Sequence, residues 1–276
     1  MNKEKQKFIE VCDKVAPTFG KIGPDYWNQF GNRLVELSGI NKGAKVLDIG
    51  TGRGASLFAA IHKIGGNGHA VGIDISEVMV NETYKDILKK NIKNVEVIQM
   101  NAESLDFDND FFDNVICGFG IGYLLFSDNK LNDVLRVLKK DGQVGFSIWG
   151  VQEDQKWLTE IVNKYLNTGS TSENSNKKSN IPQFNTLNGA KKTLEDSGFR
   201  NVKIYEEDAD VIYKSKEEWW QEMWSNAVRT IFERVEELGE NKVEEFKIDV
   251  FNGLEKFRKI DGFHFNMPVI YAFGEK

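Results

Sequence analysis

From Lys45 to Trp149 the chain alternates short apolar runs with longer stretches whose apolar positions recur at helical spacing. The runs are KVLDIG (45–50), HAVGIDI (69–75), VEVIQM (95–100), FDNVICGF (112–119) and QVGFSIW (143–149), with helix-like stretches near 55–64, 77–91 and 127–139. Strand-length runs separated by helix-length segments predict βαβ units and a parallel sheet. They are too apolar for strands with one wet face, so the sheet is expected to be covered by helices on both. Before this core, 1–43 reads as mostly helical but broken at Pro17, Gly20, Gly23 and Pro24, with an amphipathic helix over 31–38 ended by Gly39. After Gly150 a helix fits 154–166. The stretch 168–180 (TGSTSENSNKKSN) holds no hydrophobic residue and is expected to be a mobile loop, either a surface insertion or the edge of a lid. A helix ending at Gly198, a long strand over 202–213, a charged helical block over 215–259 and a last strand over 265–273 follow. Pro268 in that last run suits a strand's beginning or an edge.

The richest chemistry lies in VLDIGTGRG (46–54), where an apolar strand turns through Gly50, Thr51, Gly52, Arg53 and Gly54 into a helix beginning near Ala55. Glycines permit a tight turn and let a ligand approach bare backbone. The helix behind them offers unpaired N–H groups and a positive dipole end. Gly50-x-Gly52-x-x-Ala55 also satisfies the dinucleotide fingerprint, and Asp74 ends the next strand about 20 positions on, as a carboxylate holding ribose hydroxyls would. Both features fit any adenosine-containing ligand at the carboxyl edge of the sheet. Asp48 is more selective. A carboxylate two residues before Gly50 would repel a pyrophosphate and suits a ligand carrying an ammonium group. Asn101, after the third run, places an amide where an adenine edge can be read.

Taken together, residues 15–150 resemble the class I S-adenosylmethionine-dependent methyltransferases, in particular the small-molecule group related to the quinone-biosynthesis methyltransferases. The resemblance rests on Asp48, Gly50, Gly52 and Gly54 in a D-x-G-x-G-x-G turn, on Asp74, on AESLDFDNDFFD (102–113) and on LKKDGQVGFSIWG (138–150), with Asp141-Gly142 as a turn. VAPTFGKI (15–22) is similar too, with Phe19-Gly20 where the family commonly has Tyr-Asp. Asn101-Ala102 stands where the family often has Asp-Ala, and Asn keeps a carbonyl acceptor for adenine. The resemblance implies a Rossmann-like α/β fold: a seven-stranded, mostly parallel sheet with helices on both faces and a helical cap. It implies S-adenosylmethionine bound by Asp48, Gly50, Thr51, Gly52, Asp74, Ile75, Asn101, Ala102 and Gly118, with S-adenosylhomocysteine as product. The longer N-terminal signature of menaquinone methyltransferases is missing, so no quinone substrate is carried over. Three segments are expected: a cap segment over 1–44, a cofactor-binding core over 45–150, and the rest of the sheet with a substrate cap at about 215–260 over 151–276.

Composition narrows the acceptor. With 36 Lys+Arg against 42 Asp+Glu the net charge is -6, which argues against a nucleic-acid substrate. Two cysteines, Cys12 and Cys117, support neither a disulfide framework nor a multi-cysteine metal site, and no apolar stretch is long enough to span a membrane. A cytoplasmic enzyme without a metal is therefore expected. Methyl transfer from a sulfonium needs alignment and exclusion of water more than a dedicated base, and no catalytic residue is assigned. His62 and His69 read as structural or solvated, His264 as a surface turn residue, and Tyr123 as lying near the end of the fourth strand. Trp219, Trp220, Met223, Trp224 and Val228 share one helical face, which as a roof of the site favours an apolar or aromatic acceptor. Two rival readings remain: an NAD(P)-dependent oxidoreductase using the same glycine turn, and a non-catalytic S-adenosylmethionine-binding protein.

Overall fold

In the computed structural model, which describes residues 3–125, 131–166 and 184–276, the five expected runs form β1 (Lys45–Ile49), β2 (His69–Asp74), β3 (Val95–Gln99), β4 (Phe112–Gly118) and β5 (Leu138–Trp149). With β6 (Arg200–Glu207) and β10 (Val269–Glu275) they make a seven-stranded sheet in the order β3-β2-β1-β4-β5-β10-β6. β10 pairs antiparallel with both its neighbours, while the pairings among β1 to β5 are all parallel. This is the Rossmann-like, mostly parallel architecture expected from the apolar runs. Alternate residues of β1 enter two different cores: Val46 packs with Leu34, Leu57 and Ala60 on one face, Leu47 and Ile49 with Val115, Val134 and Leu194 on the other. Burial on both sides explains why the strands carry no polar alternation.

The helices are α1 (Lys3–Val15), α2 (Tyr26–Leu37), α3 (Ala55–Ile64), α4 (Glu77–Lys89), α5 (Ile121–Leu125), α6 (Asn132–Val137), α7 (Lys156–Leu166), α8 (Leu187–Asp196), α9 (Lys216–Trp224), α10 (Arg229–Glu236) and α11 (Glu240–Leu254). Side-chain caps start several of them. Ser76 accepts from Met79 N–H at 3.0 Å, Thr186 from Gly189 N–H at 3.1 Å, and Ser215 from Glu218 N–H at 3.0 Å. α2 lies against the start of α3 because residue 31 is glycine: a Cβ there would come within 2.6 Å of the Ala55 carbonyl carbon.

Four sequence expectations are corrected. The helix expected over 127–139 is described only as Asn132–Val137, and β5 starts at Leu138 instead of 143. Its Asp141-Gly142 turn survives as an irregularity inside the strand, with Asp141 at φ 62°. The single strand expected over 202–213 is two, β6 and β7 (Asp210–Tyr213), in different sheets. The terminal run is likewise split at Met267-Pro268 into β9 (Gly262–Asn266) and β10. Pro268, which has no N–H to give a ladder, sits where the chain passes from one sheet to the other. Finally, 215–259 is three helices followed by a short turn and β8 (Arg258–Lys259), which completes a three-stranded sheet, β7-β9-β8, that the sequence did not announce. The polar stretch 168–180 lies outside the described residues.

The register places the cap. Val269 pairs with Trp149 on one side and Glu207 on the other, so β6 ends and β10 begins at the carboxyl edge of the parallel strands. β7, β9 and the helices between them are delivered to that edge.

Candidate active site

The carboxyl ends of β1 to β4 bring together all nine residues expected to bind cofactor. Asp48 is on β1, with Gly50, Thr51 and Gly52 in the turn behind it. Asp74 and Ile75 end β2, Asn101 and Ala102 follow β3, and Gly118 ends β4. Gly50, Gly52 and Gly54 have φ of 66°, 50° and 82°, a region L side chains rarely adopt. A Cβ on Gly52 would meet nothing within 4 Å, so the turn's outer side is open.

Asp48 is only 1% exposed. Its Oδ2 accepts from the Thr51 hydroxyl at 2.7 Å, while its Oδ1 is buried with no partner among the described residues. Burial, reinforced by the nearby Asp74 charge, pushes this carboxyl up to about 7. Asp74 is fully engaged by backbone: Oδ2 accepts from Gly52 N–H and Oδ1 from Ser76 N–H, each at 2.9 Å. Burial raises its pKa, and these N–H bonds oppose the rise. Asn101 is exposed at the rim, where its Oδ1 accepts from Lys5 Nζ at 3.1 Å and its Nδ2 donates to Glu103. Gly118 cannot carry a side chain without displacing Ser56, whose Oγ would lie 2.8 Å from a Cβ.

α1 lies along this edge. Ser76 donates to Asp13 at 2.5 Å, and Arg53, from the glycine turn, donates to Ala16 O at 2.6 Å and pairs with Asp86. Arg53 thus ties the turn to both the end of α1 and the side of α4.

Beyond β4 and β5 stands a wall of rings. Phe119 directly follows β4 at φ 59°, an unusual backbone for a bulky residue. Its ring lies 4.1 Å from that of Trp149, which ends β5. Trp27 and Phe30 of α2 meet both rings at centroid distances of 5.5–5.8 Å. Behind them Glu222 of α9 is 1% exposed and accepts from Tyr26 OH at 2.7 Å, Asn226 Nδ2 at 2.9 Å and Tyr213 OH at 3.2 Å. Burial raises its pKa against the pull of those donors.

Arrangement and sequence now agree on a family. Residues 40–189, more than half of the chain, match the family described as a methyltransferase domain. The chain belongs to that methyltransferase family. Within it, the protein is 32% identical over 143 residues to the aklanonic acid methyltransferase DauC of Streptomyces sp. (strain C5), covering 52% of this chain and 65% of that one. It is also 32% identical over 150 residues to the ubiquinone/menaquinone biosynthesis C-methyltransferase UbiE of Pseudomonas fluorescens (strain Pf0-1), covering 49% and 57%. The matches thus span less than two thirds of these relatives' own length. The YcgJ protein of Bacillus subtilis shares the fold, with a TM-score of 0.57 over 90% of this chain and 98% of that one at 19% identity.

Within this member of the methyltransferase family the remaining candidates fall away from the site. His62 is exposed in the last turn of α3, and His69 pairs with Glu96 at the opposite end of β2. His264, expected in a turn, is instead on β9, held at 2.8 Å by both Asp210 and Asp261. The Tyr123 side chain lies outside the described residues. Trp219 and Met223 are buried as the apolar stripe requires. Glu222 was missed because it reads as one more charge in an acidic helix. The spacing 219, 222, 223, 226 carries the signal, since it puts Glu222 on the buried face beside Trp219.

Proposed function

We propose that this methyltransferase-family chain carries a methyl group from S-adenosylmethionine to a small apolar or aromatic acceptor. The observation that carries the reading is the unpartnered, buried Oδ1 of Asp48 beside an open glycine turn. A carboxylate oxygen left unpaired at this depth is costly, and an ammonium group is its natural complement, whereas a pyrophosphate would be repelled. Asp48, Gly50, Thr51 and Gly52 would hold the amino-acid end of the cofactor, Asp74 and Ile75 its ribose, Asn101 and Ala102 its adenine, with Gly118 beside the sulfur-bearing arm. When bound, the cofactor supplies an activated methyl on a sulfonium. The chain's own residues bind, orient and exclude water, which suffices for a displacement with so good a leaving group.

Phe119, Trp149, Trp27 and Phe30 support an apolar or aromatic acceptor, since flat rings at the sheet edge offer stacking surface and few polar groups. The segments 1–44 and 215–260 serve in this reading as the cap over a core at 45–150. The net charge of -6 and the free Cys12 and Cys117 support a small-molecule enzyme of the cytoplasm. No helix among the described residues is long and apolar enough to cross a membrane.

Calorimetric titration tests the reading directly. Saturable binding of S-adenosylhomocysteine with no heat from NAD(H) is the expected result, and NAD(H) binding without S-adenosylhomocysteine binding refutes it. Turnover of radiolabelled methyl onto a panel of aromatic acceptors then separates an enzyme from a mere binder.

A further inference from the structure

α2 begins without a side-chain cap of its own. Asp25 precedes its first turn but closes no side-chain hydrogen bond to it, unlike Ser76, Thr186 and Ser215 at the starts of α4, α8 and α9. The first residue of α2 is instead fixed from outside, by Glu222 of α9, whose Oε1 accepts from Tyr26 OH at 2.7 Å. The chain entering α2 also crosses the stem of that side chain: a Cβ on Gly23, at φ 79°, would lie 3.0 Å from Glu222 Cγ. Tyr26 in turn backs the ring wall, with centroids 5.0 Å from Trp27, 5.7 Å from Phe30 and 6.3 Å from Trp149. One side chain of the cap therefore reaches three of the four wall rings through a single tyrosine.

The chemistry of this contact is unlike that of a packing residue. Glu222 is 1% exposed, and its partners are Tyr26, Asn226, Tyr213 and the Trp27 indole, neutral donors with no cation among them. Taking a carboxylate out of water is costly, and an apolar residue of similar size often serves stability as well. What the carboxylate adds is direction, because a satisfied network of hydrogen bonds fixes where each donor stands. We propose that Glu222 is a positioning residue for the acceptor: without touching it, the carboxylate sets α2, and with it the rings of Trp27, Phe30 and Trp149, at the spacing the acceptor requires. This rests on the reading of the wall as the acceptor's platform. It deepens that reading by placing one determinant of acceptor fit in the cap, behind the wall.

Calorimetric titration of the full chain with 2-naphthol, in saturating S-adenosylhomocysteine, is the test. Glu222→Leu and Tyr26→Phe cut the same bond from its two sides. Each is expected to weaken 2-naphthol about tenfold while S-adenosylhomocysteine affinity stays within about twofold of the wild type. The double variant is expected to bind no more weakly than either single one, because both remove one interaction. Glu222→Gln keeps an oxygen for Tyr26 and Asn226, and its amide can donate to the Tyr213 hydroxyl, so it is expected to stay within about threefold of the wild type. A residue serving stability alone would shift the thermal midpoint without this split between the two ligands. Wild-type 2-naphthol affinity in a folded single variant, losses that add in the double variant, or Glu222→Gln as weak as Glu222→Leu overturns the inference and leaves the cofactor reading intact. Should Glu222→Leu fail to fold, Tyr26→Phe with Glu222→Gln decides. Absence of saturable 2-naphthol binding by the wild-type chain removes the aromatic-acceptor reading and this inference with it, and absence of S-adenosylhomocysteine binding removes the cofactor reading itself.

Discussion

In the cofactor role proposed for it, Asp48 sets a conflict between stability and function within a single residue. Its carboxyl is raised from 3.8 to about 7 chiefly by burial. A carboxyl whose folded pKa lies above its unfolded value costs the fold nothing when both states are protonated, and its cost grows from about pH 4 to about pH 7 before levelling. Asp48→Asn should therefore raise the thermal midpoint at pH 8 by about 5–10 °C, with the gain vanishing near pH 4; scanning calorimetry at the two pH values reads it. The same variant should bind S-adenosylhomocysteine about tenfold or more weakly, since it loses a charge-assisted bond. Binding to the wild-type chain at pH 6 should release a proton as the ammonium draws Asp48 into its charged form, visible as a dependence of binding enthalpy on the buffer's ionisation heat. These residues were legible because glycine and aspartate at strand ends have few other reasons to be there. Glu222 and Arg53 were not, since a charged residue becomes meaningful only once its burial is known.

At the scale of elements, helix and strand identity followed from periodicity, and the breaks did not. VKIYEEDADVIY reads as one strand because every residue in it tolerates extended backbone; the change of sheet at Asp208-Ala209 is dictated by what each half pairs with, and pairing is non-local. Positions of close approach were equally silent. Gly31 looks like an ordinary glycine inside an amphipathic helix, but it is where α2 touches the start of α3. Gly31→Val should push α2, with Tyr26 and Trp27, away from the glycine turn. We expect a loss of about 1–3 kcal/mol in denaturant unfolding and weaker S-adenosylhomocysteine binding. Gly66→Ala, whose added carbon would meet nothing within 4 Å, should stay within about 0.5 kcal/mol of the parent chain.

Across the whole molecule, the proposed function has cofactor and acceptor read by parts of different origin. The residues proposed to hold the cofactor come from four consecutive strand ends within 45–120, a local arrangement that sequence motifs capture well. The ring wall and the carboxylate behind it draw on residues as distant as Trp27, Trp149 and Glu222, and only the folded chain assembles them. The acidic balance that argued against a nucleic-acid substrate gains a local form at the carboxyl edge of the sheet, where Asp13, Asp48 and Asp74 gather.

The paired departure of β6–β7 and β9–β10 from the main sheet has an evolutionary meaning. Tyr213 and Phe263 are partners across the β7–β9 ladder, so the segment between them leaves and re-enters the fold at one point. Such a segment is a cassette: it can be replaced without rethreading the sheet, because its two ends are already held together. It carries Glu222, while the rings of the wall come from α2, β4 and β5. A chimera receiving 214–262 from another family member should keep its S-adenosylhomocysteine affinity within about twofold and change its choice of acceptor. On the proposed function, new substrates would then be acquired by exchanging this cassette against an unchanged aromatic floor.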